Sequence, residues 1–492
     1  MQIVLINPRY DETNYRYKVN KLCPPLGMAY IASVLLNEGH SVKILDMEAI
    51  RMGYEALPAW LAGQSADLVG IHGTTPISHY IARCVEIVKE TWPHVTVVVG
   101  GPHASLLPGS VLEDMPGVDY ILRGEAEHTM RELVNRLEHG EKRSDLADIP
   151  GIGFRDGDKS FISPEIPLIE DLDSLPFPAY DLLPLDAYFY KSRLVETGFE
   201  ERIFSIMSSR GCPNGCIFCC ESALYGRKFR ARSAENVVDE MALLARKYDV
   251  GHIVVYDASF MVDKKRVERI CEGIISRSLK VSWRARVRAD QVDEKLVAKM
   301  KDAGCSTLAN GVEAGSQRLL DIMGKRCKIE EIESAFRIAK DAGMWTVGYF
   351  MFGTPGETRE ESYQTVEFAK KLDPDWALFT HATPFPGTKL YELAKEKMLT
   401  DDWSRFKFSA NSPVTSYDGM TEQEMQEMMD YAFRSYYVRK EWLMNRLEKV
   451  KSPAQVERVI DSFLYYVEKT LQPKGSDRPT NATMQGSCAL VS

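Results

Sequence analysis

Short apolar runs alternate with longer segments of helical periodicity over the first 150 residues. Such alternation is typical of a doubly wound parallel sheet. We therefore predict an α/β, Rossmann-like domain at residues 1–150. The predicted strands are 3–8, 41–46, 67–72, 95–100 and 119–123. The predicted helices lie near 26–38, 78–91 and 127–138.

The same alternation resumes further along the chain. Residues 151–200 are proline-rich in part and are predicted to be a linker that wraps between domains. Residues 201–385 then contain six strand-like runs with helical segments between them, which predicts a partial (β/α)6 barrel. Its working residues should lie at the carboxyl ends of the strands. The predicted strands are 202–208, 252–257, 281–287, 306–313, 345–352 and 375–382.

Residues 386–470 are predicted to form a mainly helical C-terminal cap. Between Met425 and Trp442 the sequence is rich in methionine and aromatic residues. This pattern favours a helix face packed into the core. A cap that contacts an apolar substrate is the alternative. Residues 471–492 have the composition of a disordered tail.

Composition narrows the classes of function. The 492 residues carry a net charge of −9 without a block of Lys and Arg, which argues against nucleic acid as a partner. No apolar run is long enough for a membrane span, and the N-terminus lacks the pattern of a signal peptide. The ten cysteines are mostly scattered, which favours reduced thiols in the cytoplasm over disulfides.

One group of cysteines has ligand spacing. Cys212, Cys216 and Cys219 form a C-x3-C-x2-C array, which suits three irons of a 4Fe–4S cluster and leaves the fourth iron open to a small molecule. Zinc sites and thioredoxin-like motifs remain alternatives, although both normally use C-x2-C units. Cys220 follows Cys219 directly and is poorly placed to bind the same cluster.

This loop, with Phe218 before the last cysteine, resembles the signature of the radical S-adenosylmethionine (SAM) superfamily. The resemblance implies that SAM binds the open iron and is cleaved to a 5′-deoxyadenosyl radical. It also implies SAM contacts at strand ends of the barrel. Asp257 suits the SAM ammonium, and Arg286, flanked by Arg284 and Arg288, suits the carboxylate.

Two further strand ends are candidate SAM contacts. Glu313 suits the ribose hydroxyls or the methionine end of SAM, and Gly353 lies where backbone could approach the adenosyl group. Each of these single residues could instead have an ordinary packing role in the barrel.

The N-terminal strands end in small and turn-forming residues, so their carboxyl edge is the expected cofactor edge. The absence of a G-x-G-x-x-G motif argues against a pyridine dinucleotide. The loops resemble those of the cobalamin-binding domain joined to one class of radical SAM enzymes. The alternative is a Rossmann-like module without a cofactor. The resemblance implies cobalamin contacts at Asn7, Thr74, Thr75, Gly100, Gly101 and Glu125.

The sequence differs from many cobalamin proteins at the residue that would bind the cobalt. Many cobalamin proteins carry a D-x-H-x-x-G motif whose histidine binds cobalt from below. Here Asp46 begins the corresponding stretch, but Glu48 replaces the histidine and Arg51 replaces the glycine. A bound cobalamin should therefore lack that ligand. His72 and His103 are other candidates, although a single histidine at a strand end more often has a hydrogen-bonding role.

The order of domains resembles the cobalamin-dependent radical SAM enzymes of the class B methyltransferase type. This implies methylation of an unactivated carbon through the 5′-deoxyadenosyl radical and methylcobalamin. The enzymatic alternative is a cobalamin-dependent oxidoreductase or cyclase, similar to the anaerobic porphyrin cyclase. A degenerate scaffold is the non-catalytic alternative.

A methylthiotransferase would need a second three-cysteine cluster, but the N-terminal region has only Cys23 and Cys84. The substrate could be a small molecule, lipid, tetrapyrrole or peptide, and a flavodoxin or ferredoxin would supply electrons.

Overall fold

The computed structural model describes residues 1–10, 23–191, 202–406, 413–416 and 420–450, together with 452–453, 456–457, 459–461, 463–464 and 467. Seven strands form the first sheet, in the order β2-β1-β3-β4-β5-β6-β7. The strands are β1 (Gln2–Asn7), β2 (Ser41–Asp46), β3 (Leu68–His72), β4 (Thr96–Gly100), β5 (Tyr120–Leu122), β6 (Ile152–Asp156) and β7 (Lys159–Ile162).

The first five strands are parallel, and all five were predicted from the sequence. Their order reverses between β1 and β3, which is the point where ligands bind in sheets of this topology. Strands β6 and β7 form an antiparallel hairpin joined to β5. The sheet therefore continues to Ile162, beyond the predicted boundary at residue 150. A two-residue Gly157-Asp158 turn with a φ of +62° at the glycine makes this hairpin possible.

Helices cover both faces of this sheet, as the doubly wound prediction requires. Helices α1 and α6 pack on one face with Leu133 and Val134 in the core. Helices α2, α3 and α5 lie on the other face, around Leu61 and Val85. The helices are α1 (Leu26–Asn37), α2 (Leu57–Ala62), α3 (Ser78–Thr91), α4 (Pro102–Leu106), α5 (Pro108–Asp114) and α6 (Ala126–Glu138).

The connecting segment after β7 runs between the two domains and carries helix α7 (Leu185–Lys191). The backbone N–H of Ala179 donates to the carbonyl of Ala29 in α1, at 3.0 Å. Two buried tyrosines, Tyr180 and Tyr188, contact the ring of Phe204 edge-on. This segment therefore fastens the domains together.

Six parallel strands form the second sheet in the order β15-β14-β13-β12-β11-β8, which confirms the partial (β/α)6 barrel. A short antiparallel ribbon, β9 with β10, adjoins it. The strands are β8 (Ile203–Ile206), β9 (Ser209–Arg210), β10 (Arg230–Ala231), β11 (His252–Val255), β12 (Ser282–Val287), β13 (Cys305–Glu313), β14 (Trp345–Phe352) and β15 (Trp376–His381).

Helices lie between these strands along the chain. They are α8 (Glu221–Tyr225), α9 (Ala234–Lys247), α10 (Lys264–Ser276), α11 (Glu294–Asp302), α12 (Gln317–Ile322), α13 (Ile329–Asp341) and α14 (Arg359–Leu372).

The C-terminal part adds helices α15 (Lys389–Ala394), α16 (Glu422–Tyr437) and α17 (Lys440–Leu447). Helix α16 packs on α14 and β15 with Met428, Met429 and Tyr436 buried. This confirms the packed-face interpretation of the methionine- and aromatic-rich stretch. The predicted tail at 471–492 lies outside the described residues. Among those described, no helix has the length and apolarity that crossing a membrane requires.

Candidate functional site

The cysteine loop leaves the barrel at the carboxyl end of β8, and its first turn is fixed by a buried carboxylate. Asp257 accepts hydrogen bonds from the backbone N–H groups of Ser208 and Ser209, at 2.7 and 3.1 Å, and from both of their hydroxyls, at 2.6 Å. Its side chain is completely buried. Asp257 therefore anchors the entry to the loop, and these four bonds leave little capacity for the predicted contact with the SAM ammonium.

The next turn needs a glycine. Gly211 has a φ of +78°, and a Cβ at this position would lie 2.2 Å from the carbonyl oxygen of Lys228. A side chain would collide with the backbone that follows α8. The loop is therefore closed against that segment immediately before Cys212.

The three cysteines lie together on this loop without disulfide bonds. The amide of Cys219 donates to the carbonyl of Cys216 at 3.2 Å. Burial raises the pKa of the Cys216 thiol and that of Cys219, the latter to about 12. Positive charge from bound iron would therefore be needed to favour the thiolates.

The described residues contain no group of three Cys, His, Asp or Glu side chains gathered closely enough for a single metal ion. A cubane cluster bonds each thiolate to a different iron, so its ligands lie farther apart than those of one zinc ion. The C-x3-C-x2-C spacing of Cys212, Cys216 and Cys219 in the sequence is what favours the cluster over zinc.

Two buried cations border Cys216. Nη1 of Arg288 lies 4.0 Å from the Cys216 sulfur, and its Nη2 donates to the carbonyl of Lys325 at 2.6 Å. The Lys325 ammonium donates to Glu313 at 2.7 Å. Burial opposes charge on Lys325, but the carboxylate of Glu313 more than offsets this and raises the lysine pKa. Positive charge is thus held next to a cluster ligand.

Glu313 has an unusual backbone. Its φ is +68°, and the register between β13 and β14 shifts between Gly311 and Glu313. Non-glycine residues in this region store strain and cluster at functional sites. A Cβ at Gly311 would lie 2.4 Å from a Glu313 carboxylate oxygen. The bulge therefore turns Glu313 toward Cys216 and Lys325, which supports its prediction as a SAM contact.

Arg286 faces the inside of the barrel. Its register partner is Ala309, and its guanidinium lies over the ring of Tyr256, 4.9 Å from the centroid. The Nε atom is buried without a hydrogen-bond partner. Arg286 can therefore still receive an anion such as a carboxylate.

Gly353 follows β14 with a φ of +84°, and its N–H donates to Glu357 at 2.8 Å. A Cβ at Gly353 would lie 3.0 Å from the Met425 sulfur of α16. The lack of a side chain at Gly353 thus lets this turn pack against α16, and the adenosyl contact stays a prediction.

The carboxyl edge of the first sheet is also bare backbone. A Cβ at Gly101, where φ is +93°, would lie 2.6 Å from Nδ1 of His72. A Cβ at Gly73 would lie 2.3 Å from Ile81. Burial lowers the pKa of His72 and of His103 to about 4, so both imidazoles are neutral at physiological pH. Glycine at both positions therefore lets the backbone of this edge pack closely against His72 and Ile81.

The other predicted contacts on this edge occupy different positions. Asn7 donates to Asp46 at 3.0 Å at the carboxyl end of β1. Thr74 is exposed on the loop after β3, whereas Thr75 is buried. Gly100 ends β4 and is half-buried. Asn7, Thr74 and Gly100 thus remain predicted contacts at the switch point.

Glu125 is placed elsewhere. Its carboxylate is fully buried and accepts from Arg230 at 2.8 Å, with Arg210 at 3.2 Å. Arg210 also pairs with Glu127. Both arginines belong to the barrel, so Glu125 joins the two domains, and its side chain is not free on the cofactor edge.

Comparisons with known proteins agree with both halves of the site. A family model described as "Radical SAM superfamily" matches residues 206–369, and one described as "B12 binding domain" matches residues 15–134. An uncharacterized methyltransferase of Pyrococcus horikoshii is 36% identical over 441 residues, which are 89% of this chain and 93% of that protein. The chain belongs to the cobalamin-binding radical SAM family.

Two further similarities are informative, one to an enzyme sequence and one to a solved structure. The anaerobic magnesium-protoporphyrin IX monomethyl ester cyclase of Rubrivivax gelatinosus is 29% identical over 92% of this chain and 80% of its own length. The radical SAM methyltransferase TsrM of Kitasatospora setae, solved with cobalamin and a [4Fe-4S] cluster, superposes with a TM-score of 0.69. That likeness covers 96% of this chain and 100% of TsrM at 17% identity, so it concerns the fold.

The cofactors of this radical SAM enzyme are a 4Fe–4S cluster, SAM and cobalamin. The residues present fit all three. The open thiols fit the cluster, the unpaired Nε of Arg286 and the strained Glu313 fit SAM, and the bare edge at Gly73 and Gly101 fits the corrinoid.

Sequence reasoning missed several residues of this radical SAM site. The sequence did not identify Lys325, because a lysine in a Gly-Lys-Arg turn is normally exposed. In the structure it is buried. Ser208 and Ser209 carried no motif. Arg210 and Arg230 gave a weak signal, since each lies in a short segment close to the cysteine loop.

Proposed function

We propose that this chain is a cobalamin-dependent radical SAM methyltransferase that acts on an unactivated carbon. The observation that carries the proposal is a buried ionic contact at Glu125, which joins the domain of the three-cysteine loop to the B12-binding domain in one chain. The likeness to a protein named a methyltransferase, at 36% identity over most of both chains, supports methyl transfer as the outcome.

When bound, the three cofactors supply an electron, a 5′-deoxyadenosyl radical and a methyl group. The protein contributes binding and orientation. Cys212, Cys216 and Cys219 would hold the cluster. Arg286 would bind the SAM carboxylate through its free Nε, and Glu313 would bind a donor group of SAM while Lys325 balances its charge.

The barrel lumen offers a mostly apolar wall to the substrate. Tyr349 pairs in register with Leu378, and Met351 pairs with Thr380, so these side chains share the inner face with Arg286. Such a wall excludes water from radical chemistry. We propose a small-molecule, lipid, tetrapyrrole or peptide substrate, a flavodoxin or ferredoxin as reductant, and a cytoplasmic location.

Product analysis tests methyl transfer. The protein is reconstituted anaerobically with iron, sulfide and cobalamin and is supplied with reductant and SAM bearing a CD3 group. A small-molecule fraction of cell extract provides candidate substrates. We expect both S-adenosylhomocysteine and 5′-deoxyadenosine, and a product heavier by one CD3 group in mass spectrometry. A Cys219→Ala variant is the matched control and should form no 5′-deoxyadenosine.

The second candidate function is oxidation or cyclisation without methyl transfer. The cyclase likeness over 92% of this chain favours it. In that case, 5′-deoxyadenosine would accumulate with a consumed substrate while S-adenosylhomocysteine stayed absent. That outcome would replace the methyltransferase proposal.

A further inference from the structure

An exposed basic surface covers the outer side of the cysteine loop. We define the basic patch as Arg227, Arg326 and Lys328, all of which are exposed. Arg227 lies against the loop, because a Cβ at Gly215 would be 2.5 Å from its Nη2. Gly215 lies between the first two cysteine ligands, so this guanidinium is next to the cluster loop.

The other two cations are delivered by the turn after α12. The amide of Ile217 donates to the carbonyl of Met323 at 3.0 Å, which ties this turn to the loop. A Cβ at Gly324 would lie 3.1 Å from the carbonyl oxygen of Gly215 and 4.0 Å from the Cα of Cys216. Arg326 and Lys328 follow within four residues and have their side chains in solvent.

The charge of the basic patch is not neutralised locally. Within the part of the chain that the structure describes, Arg227, Arg326 and Lys328 have no carboxylate within salt-bridge distance. Three carboxylates accept hydrogen bonds from other groups: Asp290 from Arg288, Asp321 from Gln317, and Glu331 from the backbone N–H of Lys328. Glu330 is exposed two residues after Lys328 and forms no described salt bridge with the patch.

This local charge is opposite in sign to that of the whole chain. The net charge is −9, so an acidic protein would be repelled from most of the surface. A patch of unpaired cations over the cysteine loop would attract such a protein to one place and orient it there. Electron tunnelling weakens steeply with distance. A carrier that docks over the cysteine loop would therefore be close enough to the cluster to transfer an electron.

We propose that the basic patch docks an acidic one-electron carrier protein that reduces the cluster. This inference rests on the proposed function, because only a radical SAM reaction requires the electron. One electron leaves the reduced carrier and enters the cluster. The carrier is oxidised by one electron, the cluster is reduced by one, and no proton or group crosses the interface.

The test compares two triple variants. The first reverses the patch: Arg227→Glu, Arg326→Glu and Lys328→Glu. The matched control reverses three other exposed cations that also lack a described salt bridge: Arg246→Glu, Arg269→Glu and Lys280→Glu. Arg246 lies in the last turn of α9 and Lys280 directly before β12, at the opposite end of the barrel. Both variants change the net charge equally.

Binding of oxidised flavodoxin to the reconstituted protein is measured by calorimetry at low salt. Reduction of the cluster by flavodoxin hydroquinone is followed by stopped-flow absorbance. We expect the patch variant to lose at least about tenfold in affinity and in reduction rate, and the control to stay within about twofold. Wild-type affinity should fall as salt is raised. Ferredoxin is tested in parallel, since it shares the acidic surface.

Dithionite provides the internal reference, because it needs no docking site. With dithionite, wild type and patch variant should form 5′-deoxyadenosine at equal rates. Equal flavodoxin affinity in the patch variant and the wild type would overturn the inference. Absence of 5′-deoxyadenosine from the wild type with dithionite would instead overturn the proposed function.

If the charge-reversed variant does not fold, a triple variant with Arg227→Gln, Arg326→Gln and Lys328→Gln replaces it. We expect its loss of flavodoxin affinity to be smaller than that of the charge-reversed variant. Salt-independent binding in the wild type would also contradict docking by charge.

Discussion

At the scale of single residues, two buried carboxylates shape the site without touching substrate. Asp257 holds the entry to the cysteine loop through four hydrogen bonds. Glu357 holds the turn after β14 by accepting from Gly353, Thr354 and the Ser362 hydroxyl. Each carboxylate replaces water as the acceptor for backbone N–H groups that the fold has buried.

Asp257→Asn should weaken the cluster. The new amide keeps one oxygen as acceptor for the two backbone N–H groups, but its NH2 replaces the acceptor of the Ser208 and Ser209 hydroxyls, which must rotate to accept and lose their own acceptor. We expect at least half of the iron to be lost after reconstitution and desalting. Iron content and the absorbance band of the cluster measure this.

Asp263→Asn is the matched control for that change. Asp263 caps α10 by accepting from the amide of Arg266 at 3.0 Å, away from the loop. Full iron content in Asp257→Asn would contradict the anchoring role.

Glu357 should make stability depend on pH. Burial raises its pKa from 4.5 to about 7. The folded state therefore holds a proton that the unfolded state releases, and the unfolding free energy falls as pH rises from about 4.5 to about 7. The difference is about 3 kcal/mol, and it is fully lost above pH 7.

Glu357→Gln should remove this contribution. The wild-type melting temperature minus that of Glu357→Gln should be a few degrees larger at pH 5 than at pH 8. Glu360→Gln changes an exposed neighbour and should show the same pH dependence of the melting temperature as the wild type. A constant difference between wild type and Glu357→Gln at both pH values would contradict the prediction.

At the scale of elements, the N-terminus of α6 and the ribbon β9–β10 form the main ionic contact between domains. Glu125 precedes α6, Arg210 ends β9 and Arg230 begins β10. All three side chains are almost fully buried. In such a contact, each charge depends on its partners, because loss of one leaves another buried without compensation.

Glu125→Gln should therefore be strongly destabilising. Arg230 would lose its carboxylate partner in a buried contact, at a cost of about 3–5 kcal/mol, whereas Arg210 would keep Glu127. Thermal unfolding measures this as a clear drop in the melting temperature. Glu170→Gln is the control, since Glu170 pairs with Lys228 on the exposed surface nearby and should have no measurable effect. If both variants lowered the melting temperature by a similarly small amount, the contact would not contribute strongly to stability.

At the scale of the whole molecule, the segment between the domains links the cofactor edge to the barrel. The hydroxyl of Tyr188 donates to Asp46, which also accepts from Asn7 at 3.0 Å. The ring of Tyr188 meets Phe204 of β8. One side chain thus joins the carboxyl ends of β1 and β2 to the first strand of the barrel.

Tyr188→Phe should weaken cobalamin binding. One oxygen of the buried Asp46 would lose its donor, which costs about 1–3 kcal/mol and loosens the carboxylate that holds Asn7 through its other oxygen. We expect affinity for cobalamin to fall by up to about tenfold, as measured by absorbance titration of the corrinoid.

Tyr248→Phe removes a hydroxyl that donates to the exposed Asp181 at 2.9 Å, and it should leave cobalamin affinity unchanged. Equal affinities for Tyr188→Phe and wild type would show that the linker does not support the edge.

The sequence predicted the parallel strands of both sheets because their apolar runs have a local periodicity, but it did not predict the strand order of the first sheet. It predicted the cysteine loop because three ligands lie close together in the chain. It placed Glu125 on the cofactor edge because a strand end normally points there. The partners that bury this carboxylate, Arg210 and Arg230, are about 85 and 105 residues away. Pairings at such separations leave no periodic signal.

The same limit applied to Lys325 and Asp257. The burial of Lys325 depends on the bulge at Glu313, which no local pattern reveals. The predicted role of Asp257 followed its position just after β11. Its partners are Ser208, between β8 and β9, and Ser209, at the start of β9, about 49 residues earlier. Local patterns located these residues, and only tertiary contacts defined their partners.

The construction of the cysteine loop bears on survival in oxygen. Its entry is fixed by Asp257, its first turn by the packing of Gly211 against Lys228, and its outer side by the bond from Ile217 to Met323. None of these contacts uses a ligand sulfur. An enzyme molecule stripped of iron by air should therefore keep the loop in shape, so damage can be repaired by refilling the site without refolding the chain.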